Sequence, residues 1–219
     1  MKLWPLGTAH AGWWRRFGGT KRQRKAAQYG LPKSFAWEDI KWFLHYRRRA
    51  ARLKLETRSL QTLVIVDLQT PSFIGDTDAG RKVIQEALLQ IKLAKRLHWP
   101  IVLVEYEGCS DTHAKVREAL VGLEVGKELV EVKKKQNGGG KEVIAACEGA
   151  GIPTERFRVI GVYTNQCVEA TVAGLLHLRP EARIEVVRRA CWPSKFTYWM
   201  RFAKTTRVLL LPASIEQQY

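Results

Sequence analysis

The sequence predicts an α/β protein of three layers, α/β/α, built on a six-stranded, mostly parallel, Rossmann-like sheet. Three observations lead there. Short apolar runs recur six times between residues 62 and 211. Helical stretches with apolar residues at three- and four-residue spacing alternate with them. The runs read as strands covered on both faces, the condition of a parallel sheet.

The first element in order is not a strand. The chain has 219 residues, 37 Lys/Arg against 21 Asp/Glu, and a formal net charge of +16. That is the length of one domain with an appendage. Residues 1–58 hold 15 of the Lys/Arg, 3 of the Asp/Glu and five of the eight Trp. The expected division is therefore a basic, Trp-rich arm over 1–58 and a near-balanced domain over 59–219. Within the arm a helix is expected from Phe35 to Leu55. Ser34 caps it, Glu38 and Asp39 sit in its first turn, and Arg47, Arg48, Arg49 and Arg52 lie toward its end, as the macrodipole favours. Trp37, Ile40, Phe43 and Leu44 form its apolar stripe.

The hydrophobic content of 46% excludes a wholly disordered chain. No apolar run approaches the ~18 residues of a membrane span. No signal-type apolar segment follows the N-terminal charges, so a cytoplasmic location is expected.

From Thr62 the elements follow each other closely. Thr62–Asp67 is a strand ending in an acid. Asp78–His98 is a helix with Val83, Ile84, Ala87, Leu88, Ile91 and Ala94 on one face. Pro100–Tyr106 is the second strand, His113–Val121 a short helix, and Glu128–Lys133 the third strand. Lys141–Ala150 is helical and Arg156–Val162 is the fourth strand. Cys167–Leu178 is a helix with Val168, Thr171, Val172, Leu175 and Leu176 on one side. Ala182–Val187, a helix over Lys195–Ala203 and a last strand over Thr206–Leu211 complete the set.

In open parallel sheets, ligands bind beyond the carboxyl ends of the strands, where strand order reverses. Asp67 ends strand 1, Lys133 ends strand 3, and Cys167 follows strand 4 across the turn Tyr163–Gln166. An acid, an amine and a thiol thus share one edge. Each has a plain structural alternative: a turn residue, a solvated charge, a packing thiol. Their conjunction points to chemistry. A thiol at a helix start feels the positive end of the dipole, which favours the thiolate. An acid within reach can take its proton and return it to a leaving amine, and N–H groups of the turn can receive an oxyanion. The four cysteines, at 109, 147, 167 and 191, show no CxxC spacing and read as reduced thiols.

Thr62-Leu-Val-Ile-Val-Asp67-Leu-Gln69, with Phe73 beyond it, resembles the opening strand of the isochorismatase-like cysteine hydrolase superfamily. Gly161-Val162-Tyr163-Thr164-Asn-Gln-Cys167-Val168-Glu-Ala-Thr171 resembles its nucleophile motif. The resemblance covers roughly residues 60–212. It implies an Asp–Lys–Cys triad of Asp67, Lys133 and Cys167, with Lys134 as the alternative lysine, and the strand order 3-2-1-4-5-6. It also implies a cis peptide between Val162 and Tyr163, with the Tyr163 and Cys167 N–H groups forming an oxyanion hole. Where the family has a Ser-Ala-Phe type segment after the lysine, this chain has Asn137-Gly138-Gly139, and Arg189 stands where an Asp is common.

The thiol favours attack on a carbonyl, so the expected activity is hydrolysis of a small amide or related C–N bond through a Cys thioester. Gln69, Phe73, Tyr106, Glu107, Asn137 and Trp192 are candidate pocket residues. No cofactor and no metal are expected. Glu105, Glu107 and His113 are the ligands to consider should activity prove sensitive to chelation, but two carboxylates and one His make a poor set. The expected partners are an amide-type small molecule and a second copy of the chain. Through the arm, nucleic acid or an acidic surface is a further candidate. The alternative function is a non-catalytic binding or regulatory protein on the same fold, with the arm contacting nucleic acid.

Overall fold

The computed structural model describes residues 60–193, 196–203 and 207–211. The arm, its expected helix and the expected boundary between residues 58 and 59 lie outside them. In chain order the elements are β1 (Thr62–Val66), α1 (Asp78–Arg96), β2 (Ile101–Tyr106), α2 (Ala114–Leu120), β3 (Leu129–Lys134) and α3 (Gly140–Gly149). After these come β4 (Arg156–Val162), a π-turn (Thr164–Val168), α4 (Glu169–Leu178), β5 (Arg183–Trp192), α5 (Phe196–Ala203) and β6 (Val208–Leu211).

The six strands form one sheet in the order β3-β2-β1-β4-β5-β6. Every pairing is parallel. Helices α1 and α2 pack together, and so do α3 and α4. The fold is the expected three-layer α/β arrangement.

The central position of β1 explains its composition. It lies between β2 and β4, with Val64 opposite Val102 on one side and Val159 on the other. Leu63, Val64, Ile65 and Val66 are all fully buried, and only a continuous apolar run satisfies a strand enclosed on both faces. Helix α1 starts at Thr77, whose Oγ1 accepts from the Gly80 N–H at 3.0 Å. Lys95 and Arg96 occupy its last turn, where the macrodipole favours cations. Its face of Val83, Ile84, Ala87, Ile91 and Ala94 is buried, each larger side chain contributing about 1.5–3 kcal/mol.

One buried charge interrupts β4. Arg158 is fully buried and pairs with Glu185 of β5, its Nε at 2.8 Å and Nη2 at 2.5 Å from Oε2. Its Nη1 donates to Gln90 at 3.2 Å, and its guanidinium lies 4.7 Å from the Trp99 ring centroid. Such a charge is tolerated inside only when its donors are met.

β5 runs five residues beyond the expected end at Val187. After an irregularity in register between Val159 and Gly161, Gly161 pairs with Cys191 and Val162 with Trp192. This extension reads Arg188-Arg189-Ala-Cys-Trp, in which no apolar run marks a strand. Pairing with β4 holds it. The same irregularity shapes the site. Gly161 has φ +138°, and a Cβ there would run into the Val66 carbonyl, so only glycine lets β4 lie this close to β1.

Candidate active site

Strand order reverses at β1. β2 and β3 extend to one side, β4 to β6 to the other, and the crevice opens beyond the carboxyl ends of β1 and β4. Asp67 follows β1 directly. Its N–H donates to the Val104 carbonyl at 2.9 Å, and its φ is +52°. Asp tolerates this left-handed region better than most residues, at a cost of about 1–2 kcal/mol. The turn directs a fully buried carboxyl to the carboxyl end of β3.

The lysine waiting there is Lys134. Its Nζ lies 2.7 Å from Asp67 Oδ2, both side chains being 0% exposed. The ammonium also donates to the Gln136 and Asn137 carbonyls at 3.1 and 3.2 Å, and sits 4.4 Å from the Tyr106 ring centroid. Lys133, the residue expected from spacing, is exposed, and the expectation is corrected by one residue. Neighbouring strand residues point to opposite faces. Val130, Val132 and Lys134 share one face and Lys133 the other. The signal was present in the Val-x-Val alternation, which leads to 134.

Cys167 lies within the π-turn and is 2% exposed. Its thiol lies against the Asp67 carboxyl, and Sγ is 4.0 Å from Asn137 Oδ1. The carboxyl is thus shared between the Lys134 ammonium and the Cys167 thiol. Burial pushes the Asp67 pKa up, against the lowering influence of Lys134 and the Cys167 thiol. Burial also pushes the Cys167 thiol up. The Asp67 carboxyl adds to that rise, while Lys134 and the Tyr163 amide oppose it.

The expected place of the thiol at the start of an α-helix is corrected. Cys167 is buried beside an anion in a π-turn, and α4 begins only at Glu169. Thiol and carboxyl are neighbours in this buried turn. The Val162–Tyr163 peptide is cis.

The candidate pocket residues separate into two groups. Phe73, Tyr106 and Trp192, together with Tyr163, form an aromatic arc. Phe73 meets Tyr106 and Tyr163 edge-on at 5.9 and 5.8 Å between centroids, and Tyr163 meets Trp192 at 5.5 Å. Asn137 is exposed with its carboxamide near the thiol. Gln69, by contrast, is buried and bonded to backbone. Its amide donates to the Tyr106 and Ser110 carbonyls at 3.1 and 2.6 Å and accepts from the Tyr106 N–H at 2.7 Å. These three bonds clamp the loop after β1 onto the end of β2. Glu107 is exposed and faces Lys135 at 3.8 Å.

The three residues considered for metal do not converge. Glu105 accepts from Thr112 Oγ1 at 2.7 Å and pairs with Arg117 at 2.7 Å. Burial raises its pKa, but Thr112 and Arg117 outweigh this and hold it below the usual range. His113 Nδ1 accepts the Lys115 N–H at 3.2 Å and caps α2. Among the described residues, no three His, Cys, Asp or Glu side chains gather as metal ligands.

Similarity to known proteins was found among solved structures. N-carbamoylsarcosine amidase from Thermoplasma acidophilum superposes with TM-score 0.57 and 18% identity, over 70% of this chain and 96% of that one. Nicotinamidase from Staphylococcus aureus gives 0.58 and 16%, over 70% and 98%. An isochorismatase from Pseudomonas putida gives 0.55 and 15%, over 73% and 95%. No protein-family profile matches the sequence, and no curated relative does. The described part of the chain thus has the fold of the isochorismatase-like hydrolases.

Proposed function

We propose that the protein is a cysteine hydrolase of the isochorismatase-like superfamily that cleaves a small amide or related C–N bond, with Asp67, Lys134 and Cys167 as its triad. The observation that carries this reading is the buried contact of one carboxyl with both a thiol and an ammonium at the switch point of the sheet. A raised carboxyl pKa suits a general base that must also act as an acid.

In the proposed cycle Asp67 removes the Sγ proton as Sγ attacks the carbonyl carbon. The Tyr163 and Cys167 N–H groups receive the oxyanion. As the intermediate collapses, the C–N bond breaks, the departing amine takes the proton from Asp67, and the acyl group remains on Sγ as a thioester. Asp67 then deprotonates a water that attacks the thioester. The acid product leaves and Sγ regains the proton. Lys134 keeps the carboxylate in place and offsets negative charge through the cycle. The aromatic arc suits a flat or apolar acyl group.

Ammonia release from a panel of small amides tests the proposal. Cys167→Ala and Asp67→Asn should abolish turnover of any substrate found. Turnover retained in Cys167→Ala overturns it.

A second reading rests on the arm. Its 15 Lys/Arg against 3 Asp/Glu, interleaved with Trp, suit nucleic acid. We propose residues 1–58 as a unit separate from the hydrolase-like domain. Binding by the arm should weaken steeply between about 50 and 200 mM salt, and a flat salt response removes this reading.

A further inference from the structure

Thr171 stands one helical turn beyond Cys167 and is fully buried. Its Oγ1 accepts a hydrogen bond from the Gly139 N–H at 3.0 Å. Gly139 caps the start of α3 and closes the segment 136–140, whose first two carbonyls hold the Lys134 ammonium.

The segment is moulded to its surroundings on both sides. A Cβ at Gly139 would stand 2.9 Å from Val104 Cγ1 and 3.2 Å from Lys134 Cδ, and one at Gly140 would stand 2.6 Å from the Leu175 nitrogen in α4. Gly138 lies against Ala170 of α4 in the same way. One side of this strap grips the lysine, and the other lies on the helix that continues from the nucleophile turn. The Thr171 hydroxyl, accepting from the Gly139 N–H, joins strap and helix, beside the longer Cys167 Sγ–Asn137 Oδ1 contact of 4.0 Å.

We infer that Thr171 is a positioning residue: its hydroxyl ties the strap holding the Lys134 ammonium to the Cys167-bearing turn and helix, and so sets the distance between cation and thiol. The inference rests on the proposed role of Cys167 as nucleophile. Asp67 just after β1, Lys134 from β3, the Tyr163 backbone amide and the Asn137 carboxamide face the thiol. Glu105 acts on Asp67 from β2, and Glu169, which opens α4 just after the nucleophile turn, pairs with Arg201 at 3.2 Å. Loosening the strap lets the ammonium retreat, leaving burial and Asp67 to act on the thiol with less opposition.

The test is the pH profile of Cys167 alkylation by iodoacetamide in the full chain carrying Cys109→Ser, read by peptide mass spectrometry. Thr171→Val keeps the shape and removes the hydroxyl. It should raise the labelling midpoint by about half a pH unit, equal to about threefold slower labelling below the midpoint. Thr171→Ser should restore the wild-type profile, and Lys134→Met should shift it further in the same direction. Thr171→Ala serves as the second variant where Thr171→Val does not fold. A role in packing alone lowers stability and leaves the midpoint in place. An unmoved midpoint in Thr171→Val beside a shifted one in Lys134→Met overturns the inference and spares the triad. A Cys167 that resists labelling at every pH, or a midpoint insensitive to Lys134→Met, overturns the catalytic reading and this inference with it.

Discussion

Replacing Lys134 by Met keeps the length and apolar stem of the side chain and removes its charge. In the folded protein Asp67 Oδ2 lies 2.7 Å from Nζ with neither group exposed, so no solvent takes the ammonium's place. Breaking a buried pair from one side costs about 3–5 kcal/mol while the remaining charge stays ionised. Asp67 escapes part of that cost by holding a proton. Its folded-state pKa already lies above the model-compound value of 3.8 and rises further without the cation. A carboxyl with a raised folded-state pKa binds a proton that the unfolded chain has released. Its contribution is fully present below the unfolded pKa and is lost as pH rises through the folded one. Between the two folded pKa values, wild-type Asp67 is ionised and paired while the variant's stays protonated. There the stability gap widens by about 1.4 kcal/mol per pH unit.

Urea unfolding of wild type and Lys134→Met at mildly acid and mildly alkaline pH measures this gap. Lys133→Met is the control, and an exposed substitution there should stay within about 0.5 kcal/mol of wild type. A gap that does not grow with pH, or an equal loss in Lys133→Met, refutes the assignment of the buried ion pair to Lys134.

Iodoacetamide at neutral pH should modify Cys109 first. It is the exposed thiol among the four, burial pushes Cys147 and Cys191 to about 12, and Cys167 is itself raised. Peptide mapping that finds Cys167 labelled ahead of Cys109 would return the resting thiolate. Arg158→Ala should destabilise the fold by about 3–5 kcal/mol, because it breaks the buried Arg158–Glu185 ion pair from one side, with urea unfolding as the measurement. Any turnover found in the amide panel should survive exhaustive chelation, since Thr112 and Arg117 already occupy Glu105 and His113 caps a helix. Loss on chelation with recovery on adding zinc or manganese would overturn that expectation.

Much of the molecule was legible in one dimension. Buried strands must be apolar throughout, so β1, β2 and β4 announced themselves, and the 3–4 periodicity of Val83 to Ala94 marked α1. The acid after β1 and the thiol after β4 then fell on one edge by topology alone. Motif spacing favours Lys133 over its alternative Lys134, whereas strand parity, with Val130 and Val132 on the face of Lys134, favours the residue that meets Asp67. The carboxyl half of β5 carries no apolar run and was invisible until pairing with β4 held it.

Gln69 shows the limit from the other direction. Its position beside Asp67 made it a candidate for the pocket, yet its three hydrogen bonds go to the Tyr106 and Ser110 backbone, 37 and 41 residues away in sequence. Composition and periodicity decide which residues are buried and on which edge the ends of the strands fall, because burial is a property each segment expresses locally. Which lysine meets the carboxyl, which groups stand around the thiol, and what a glutamine's amide serves are set by a few ångströms between segments far apart in the chain. Electrostatic and hydrogen-bond energies change steeply over that range, and nothing local in the chain encodes those separations.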